Sequence, residues 1–195
     1  MLEIREVEDQ LIELIDNIEV PAMAVSIFNE TDILYEKTLG YTNWEEKGQA
    51  ITPDTVFRIG SVSKTLTATL IMSLVEKGKL DLDFPIYKYV DTFKLQNEAY
   101  AKTLTLRMLL SHTAGLPNGG DIEGPRDQSG WEGYINETVP NLDLVNPPGA
   151  LYSYSNHNFN IAGYVAQHVC GKLFAELVKE YVLEPLGITE PCMIH

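Results

Sequence analysis

The run from Ser61 to Lys77 most limits what this chain can become. Val62, Leu66, Ala68, Leu70, Ile71, Met72, Leu74 and Val75 fall on most sides of a helix, and Gly78 supplies its stop. A helix that apolar reads as buried, so the remaining elements are expected to pack around it. It opens, however, on Phe57-Arg58-Ile59-Gly60-Ser61-Val62-Ser63-Lys64-Thr65, with a serine at its start and a lysine one turn on. Residues three apart share a helix face, so the amine of Lys64 can reach the Ser61 hydroxyl. The free N–H groups of a first turn favour a developing alkoxide. Burial disfavours a lysine's charged form, which suits a general base. The plain alternative is a serine cap beside a solvated lysine. Ser61 is nevertheless the only serine followed by lysine at this spacing.

A chain of 195 residues with 45% hydrophobic content has enough apolar material for a real core. Its formal net charge is −14, from 28 acidic and 14 basic residues. Such a surface repels nucleic acid and anionic lipid, so neither is expected as a partner. Cys170 and Cys192 have no metal-ligand spacing and form no disulfide framework. The first twenty residues are charged and amphipathic rather than basic followed by apolar, and no run reaches membrane-spanning length. The expectation is a cytoplasmic protein.

Ile4, Val7, Leu11, Leu14, Ile15 and Ile18 recur at helical spacing, and Pro21 closes that helix. Residues 22–28 and 33–41 read as two strands of an antiparallel hairpin turning at Asn29-Glu30-Thr31-Asp32. Thr105 caps a short helix ending near Gly115-Leu116-Pro117. Residues 118–150 are rich in Gly, Pro, Asn and Asp and read as a long irregular segment, with Trp131 and Tyr134 either shaping access or anchoring the loop. Helical patterns return at 158–169 and 173–183, before Gly171 and Pro185.

A proton relay needs a second group beside Ser61 and Lys64. Within Asn146-Pro147-Pro148-Gly149-Ala150-Leu151-Tyr152-Ser153-Tyr154-Ser155-Asn156, a turn precedes Tyr154 and a helix follows it. A nearby ammonium lowers a phenol's pKa, and an asparagine amide both donates and accepts. Tyr-x-Asn also occurs at Tyr41 and Tyr134, so only its context singles out Tyr154 and Asn156.

Four blocks in order, FRIGSVSKTLTA, LTLRMLLSHTAGLP, PPGALYSYSN and LEPLGI, resemble serine hydrolases of the penicillin-recognising type. That group includes class C β-lactamases, D-Ala-D-Ala carboxypeptidases, D-aminopeptidases and esterases with β-lactamase folds. The resemblance implies an α/β (α+β) fold of the β-lactamase/transpeptidase type, with an antiparallel sheet, helices and a mostly helical subdomain. It implies acylation of Ser61, with Lys64 as base partner, Tyr154 as second base and relay, and Asn156 as a substrate contact. The backbone N–H of Ser61 would form half of an oxyanion hole. Amide or ester substrates follow, as small molecules or peptides, with no metal and no organic cofactor.

The corresponding division places an α/β part at 1–80, a mostly helical part at 81–157 and returning helices at 158–195, with the site in the cleft between the first two. Relatives also carry a Lys/His-x-Gly motif on a later strand, which this sequence lacks. The chain is therefore expected to be truncated before that motif, lacking the C-terminal sheet strands. A fragment, a truncated reading frame, a second chain supplying the sheet and strand exchange in an oligomer are all open explanations. A non-catalytic binding or sensor domain, or an inactive fragment, is the competing reading. His112 is expected to be structural, because Ser61 lies in no Gly-x-Ser-x-Gly elbow that a serine–histidine triad would use. His157 is expected at the surface, and His168 and His195 carry no signal.

Overall fold

The computed structural model describes residues 4–18, 20–43, 45, 48–120 and 127–188. Cys192 and His195 lie outside them. Two compact units divide the chain, residues 1–58 and 59–195.

The first unit holds helix α1 (Ile4–Ile18) and strands β1 (Ala22–Phe28) and β2 (Ile33–Gly40). The strands pair antiparallel from Ala22 opposite Gly40 to Ile27 opposite Tyr35, with a register shift between Ile27 and Phe28. The Asn29 side chain makes the turn, its Oδ1 accepting from the N–H groups of Thr31 at 2.9 Å and Asp32 at 2.7 Å. Helix α1 meets β2 through a 2.6 Å ion pair between Glu8 and Lys37.

The second unit is helical. It contains α2 (Ser63–Glu76), α3 (Glu98–Ala101), α4 (Leu106–Leu110), α5 (Gln128–Gly133), α6 (Asn156–Cys170) and α7 (Phe174–Val178). Helix α2 corrects the sequence reading in two ways. Gly60–Val62 form a 3-10 turn, so Ser61 precedes the α-helix proper. Its buried stripe is only Thr67, Leu70, Ile71 and Leu74, an i, i+3, i+4, i+7 pattern, while Val62 is 61% and Met72 48% exposed. The element buried on nearly every side is α6, from His157 and Asn158 through Ile161–Gln167. Both α2 and α4 pack on it. Apolar composition alone therefore misjudged which helix is central.

Within the 118–150 segment, residues 128–141 form helical turns rather than the irregular loop expected. Asp127 caps α5 by accepting from the Ser129 N–H at 2.9 Å. One π-helical turn, Tyr134–Thr138, and a 3-10 turn, Val139–Asn141, continue from it. Trp131, Ile135 and Val139 lie four apart, a helical stripe that the surrounding Gly, Asn and Pro residues obscured. Ile135 and Val139 are fully buried and Trp131 packs against the core, which makes this aromatic an anchor. Among the described residues, no helix is long and apolar enough to cross a membrane.

Candidate active site

The turn before α2 is held by its own hydroxyls. Ser63 Oγ donates to the Gly60 carbonyl at 2.7 Å and Thr65 Oγ1 to the Val62 carbonyl at 2.6 Å. The turn's first hydrogen bond runs from the Val62 N–H to the Ile59 carbonyl at 3.1 Å. The Ser61 N–H, one position earlier, stays outside that ladder, as the first donors of a helix do. Ser61 and Lys64 share a face, and Lys64 Nζ lies 3.2 Å from Ser61 Oγ.

Tyr154 reaches the same point through long-range backbone pairing. The N–H groups of Val145, Gly149 and Ser153 donate to the carbonyls of Gly115, Thr113 and His112 at 2.9, 2.7 and 2.7 Å. Ser153 Oγ adds a bond to the Leu116 carbonyl at 3.1 Å. The segment entering Tyr154 is thus strapped along the chain that leaves α4. Beyond Tyr154, Ser155 caps α6 by accepting from the His157 N–H at 3.1 Å, which makes Asn156 the first helical residue. The Asn156 N–H donates to the Gly119 carbonyl at 2.9 Å, and Asn160 Nδ2 to the Gly120 carbonyl at 2.6 Å. Gly120 sits so close that a Cβ there would lie 2.5 Å from the His157 nitrogen.

These supports bring all four predicted residues together inside the second unit. The Tyr154 Oη lies 2.6 Å from Ser61 Oγ, and Lys64 Nζ donates to Asn156 Oδ1 at 2.7 Å. Lys64 also lies 5.0 Å from the ring centre of Tyr154 and 5.7 Å from that of Phe159. The ammonium of Lys64, then the hydroxyl of Ser61, hold the Tyr154 phenol below its ordinary value. Lys64 itself is half-buried rather than enclosed, a correction to the expected burial. Ser61 is exposed, as is Tyr154 at 38%. Among the described residues, Lys64 pairs with no carboxylate. A solvent-exposed hydroxyl, a half-buried amine and an exposed phenol of enhanced acidity thus meet at one point, an arrangement suited to covalent acyl transfer.

His157 corrects the sequence reading. It is buried, and its Nδ1 lies 2.6 Å from the Tyr134 hydroxyl. Burial pushes the Tyr134 phenol well above its usual range, so it remains a neutral hydroxyl beside His157 Nδ1. A Tyr134→Phe variant is expected to lose about 1–3 kcal/mol in urea unfolding, because the buried hydrogen bond between Tyr134 and His157 is lost. His112 is buried too, and His168 is exposed. The roles of Ser155 and Gly120 were not anticipated; Ser155 immediately before a helical pattern is the readable cap signal.

Comparison with known proteins follows the same lines. The family model described as Beta-lactamase matches residues 5–193. Penicillin-binding protein 4 of Amycolatopsis lactamdurans is 30% identical over 169 residues, covering 87% of this chain and 44% of the relative. The octameric penicillin-binding protein homologue from Pyrococcus abyssi aligns with a TM-score of 0.79 at 30% identity, over 95% of this chain and 43% of that one. The D-alanine carboxypeptidase AmpC from Burkholderia cenocepacia gives a TM-score of 0.73 at 30% identity, over 94% of this chain and 48% of that one. The chain spans less than half the length of these relatives.

Proposed function

Since the chain belongs to the Beta-lactamase family, a hydrolytic one, we propose that Ser61 is the nucleophile of a serine hydrolase that passes through an acyl-enzyme. The observation that carries this reading is the convergence of Ser61 Oγ with Tyr154 Oη at 2.6 Å and Lys64 Nζ at 3.2 Å.

The shorter contact supports the Tyr154 oxygen as the immediate proton acceptor. Lys64, donating to Asn156 and Ser61, acts as the cation that keeps the phenolate within reach. In acylation, Ser61 Oγ bonds to the substrate carbonyl carbon and its proton moves to the Tyr154 oxygen. The carbon–nitrogen or carbon–oxygen bond then breaks, and the leaving group takes that proton. In deacylation, water bonds to the same carbon, its proton passes to Tyr154, and Ser61 Oγ departs and is reprotonated. The Ser61 N–H, outside the turn's hydrogen-bond ladder, is an oxyanion donor in this scheme. Asn156 contacts the substrate and holds Lys64.

The substrate class is an amide or ester carbonyl of a small molecule or peptide, with β-lactams, peptides ending in D-residues and simple esters as its members. Self-association belongs to the same reading, because the Pyrococcus abyssi homologue is described as octameric. A fluorescent penicillin or fluorophosphonate is expected to label the chain once, on the peptide containing Ser61, as read by mass spectrometry. An unlabelled Ser61, under conditions where a full-length relative reacts, would overturn the proposal.

A further inference from the structure

His112 is the only non-glycine residue with a positive φ among those described, at 55°. That backbone region is uncommon for a side-chain-bearing residue, although histidine and asparagine are among the types enriched there. The imidazole's role follows from its contacts. The residue is 8% exposed, and its ring Nδ1 faces the Ser155 N–H at 3.3 Å and the Asn158 Nδ2 at 2.9 Å. A backbone N–H can only donate, so Nδ1 carries no proton and the neutral ring keeps its hydrogen on Nε2. The carbonyl of the same residue accepts from the Ser153 N–H at 2.7 Å. One residue thereby grips the chain on both sides of Tyr154, at 153 and at 155. The Tyr154 ring lies on the imidazole at 4.6 Å between centres, with Phe159 at 5.2 Å and Tyr152 at 5.7 Å.

We propose that His112 is a positioning residue: its neutral imidazole fixes the Tyr154 phenol against Ser61 and Lys64, and its protonation loosens that grip. The inference rests on the reading of Tyr154 as proton carrier. A proton on Nδ1 would turn the acceptor into a donor facing two donors. It would also put a second cation beside Lys64, the α2 group that faces the ring. Tyr152 and Tyr154 are the other titratable neighbours, while α6 contributes Asn158 and Phe159, which do not titrate. Burial, and then the Lys64 charge, hold the imidazole below its ordinary value of 6.5. The grip is therefore intact at neutral pH and opens as pH falls through that lowered value.

Two substitutions separate positioning from filling space. His112→Asn keeps an acceptor at the δ position and tolerates the backbone angle. His112→Phe keeps a ring but offers no acceptor. In chains carrying 13Cζ-tyrosine, with Tyr154 assigned through Tyr154→Phe, the wild-type phenol titrates below the ordinary value of about 10. That midpoint should persist in His112→Asn and return toward the ordinary value in His112→Phe. An unchanged midpoint in folded His112→Phe would overturn the proposal. A wild-type 15N spectrum showing Nδ1 protonated at neutral pH would do the same without any variant. Where the probe acylates Ser61, the wild-type rate should show, besides the limb set by Tyr154, a second acid limb below pH 6.5 that His112→Asn lacks, and its retention counts against positioning. If no probe acylates the wild type, the hydrolase reading fails, and the two spectroscopic readouts still judge His112.

Discussion

Replacing Lys64 with methionine is expected to slow acylation of Ser61 by roughly 10²–10⁴-fold, the usual contribution of a positioned acid–base group. Met is close in length and unbranched, so packing on α2 changes little. What disappears is one charge with two hydrogen bonds, to Ser61 Oγ at 3.2 Å and Asn156 Oδ1 at 2.7 Å. The largest cause of the lowered Tyr154 value goes with it. The Tyr154 titration should therefore move back toward about 10 in Lys64→Met, followed by 13Cζ-tyrosine resonance. The sign follows from charge: an ammonium stabilises phenolate over phenol, so removing it raises the pH at which the proton leaves. Loss of acylation with an unmoved phenol would assign the proton to the lysine amine directly. Unchanged acylation would remove Lys64 from the chemistry altogether.

The second large effect is structural. Gly115 has φ 77°, and a Cβ there would stand 2.1 Å from the carbonyl oxygen of Asn146. Because this oxygen belongs to the backbone, no side-chain rotation relieves the clash. Gly115→Ala is expected to cost about 3 kcal/mol or more, combining left-handed strain with displaced packing. Urea unfolding would show the lower midpoint. The Gly115 carbonyl also accepts from the Val145 N–H at 2.9 Å, the first rung of the strap that carries Tyr154 to Ser61. Probe labelling should consequently fall even at denaturant-free concentrations where the variant remains folded. A variant as stable and as reactive as wild type would show that the strap does not govern the site.

Local spacing explains which parts of this molecule were legible. Ser61 and Lys64 lie three residues apart on one turn, so helical periodicity alone brings oxygen and nitrogen together. The hairpin at 22–40, the Thr105 cap and the end of α6 before Gly171 likewise depend on nearest neighbours in the chain. The 127–141 helical turns were missed because Gly, Asn and Pro outweighed a three-residue apolar stripe. His157 was misplaced because polarity argued for the surface, whereas its ring is buried against the Tyr134 hydroxyl.

What the order of residues determined was the inventory of polar groups and the short-range geometry of Ser61 with Lys64, since a helix turn converts sequence distance directly into spatial distance. Tertiary structure alone decided that α6 rather than α2 is enclosed, and that Tyr154 meets Ser61 from 93 positions away. Backbone hydrogen bonds from 145–153 to 112–115 carry that second decision. Every residue except proline offers the same N–H and every one the same C=O, so no side-chain pattern announces which of them will pair.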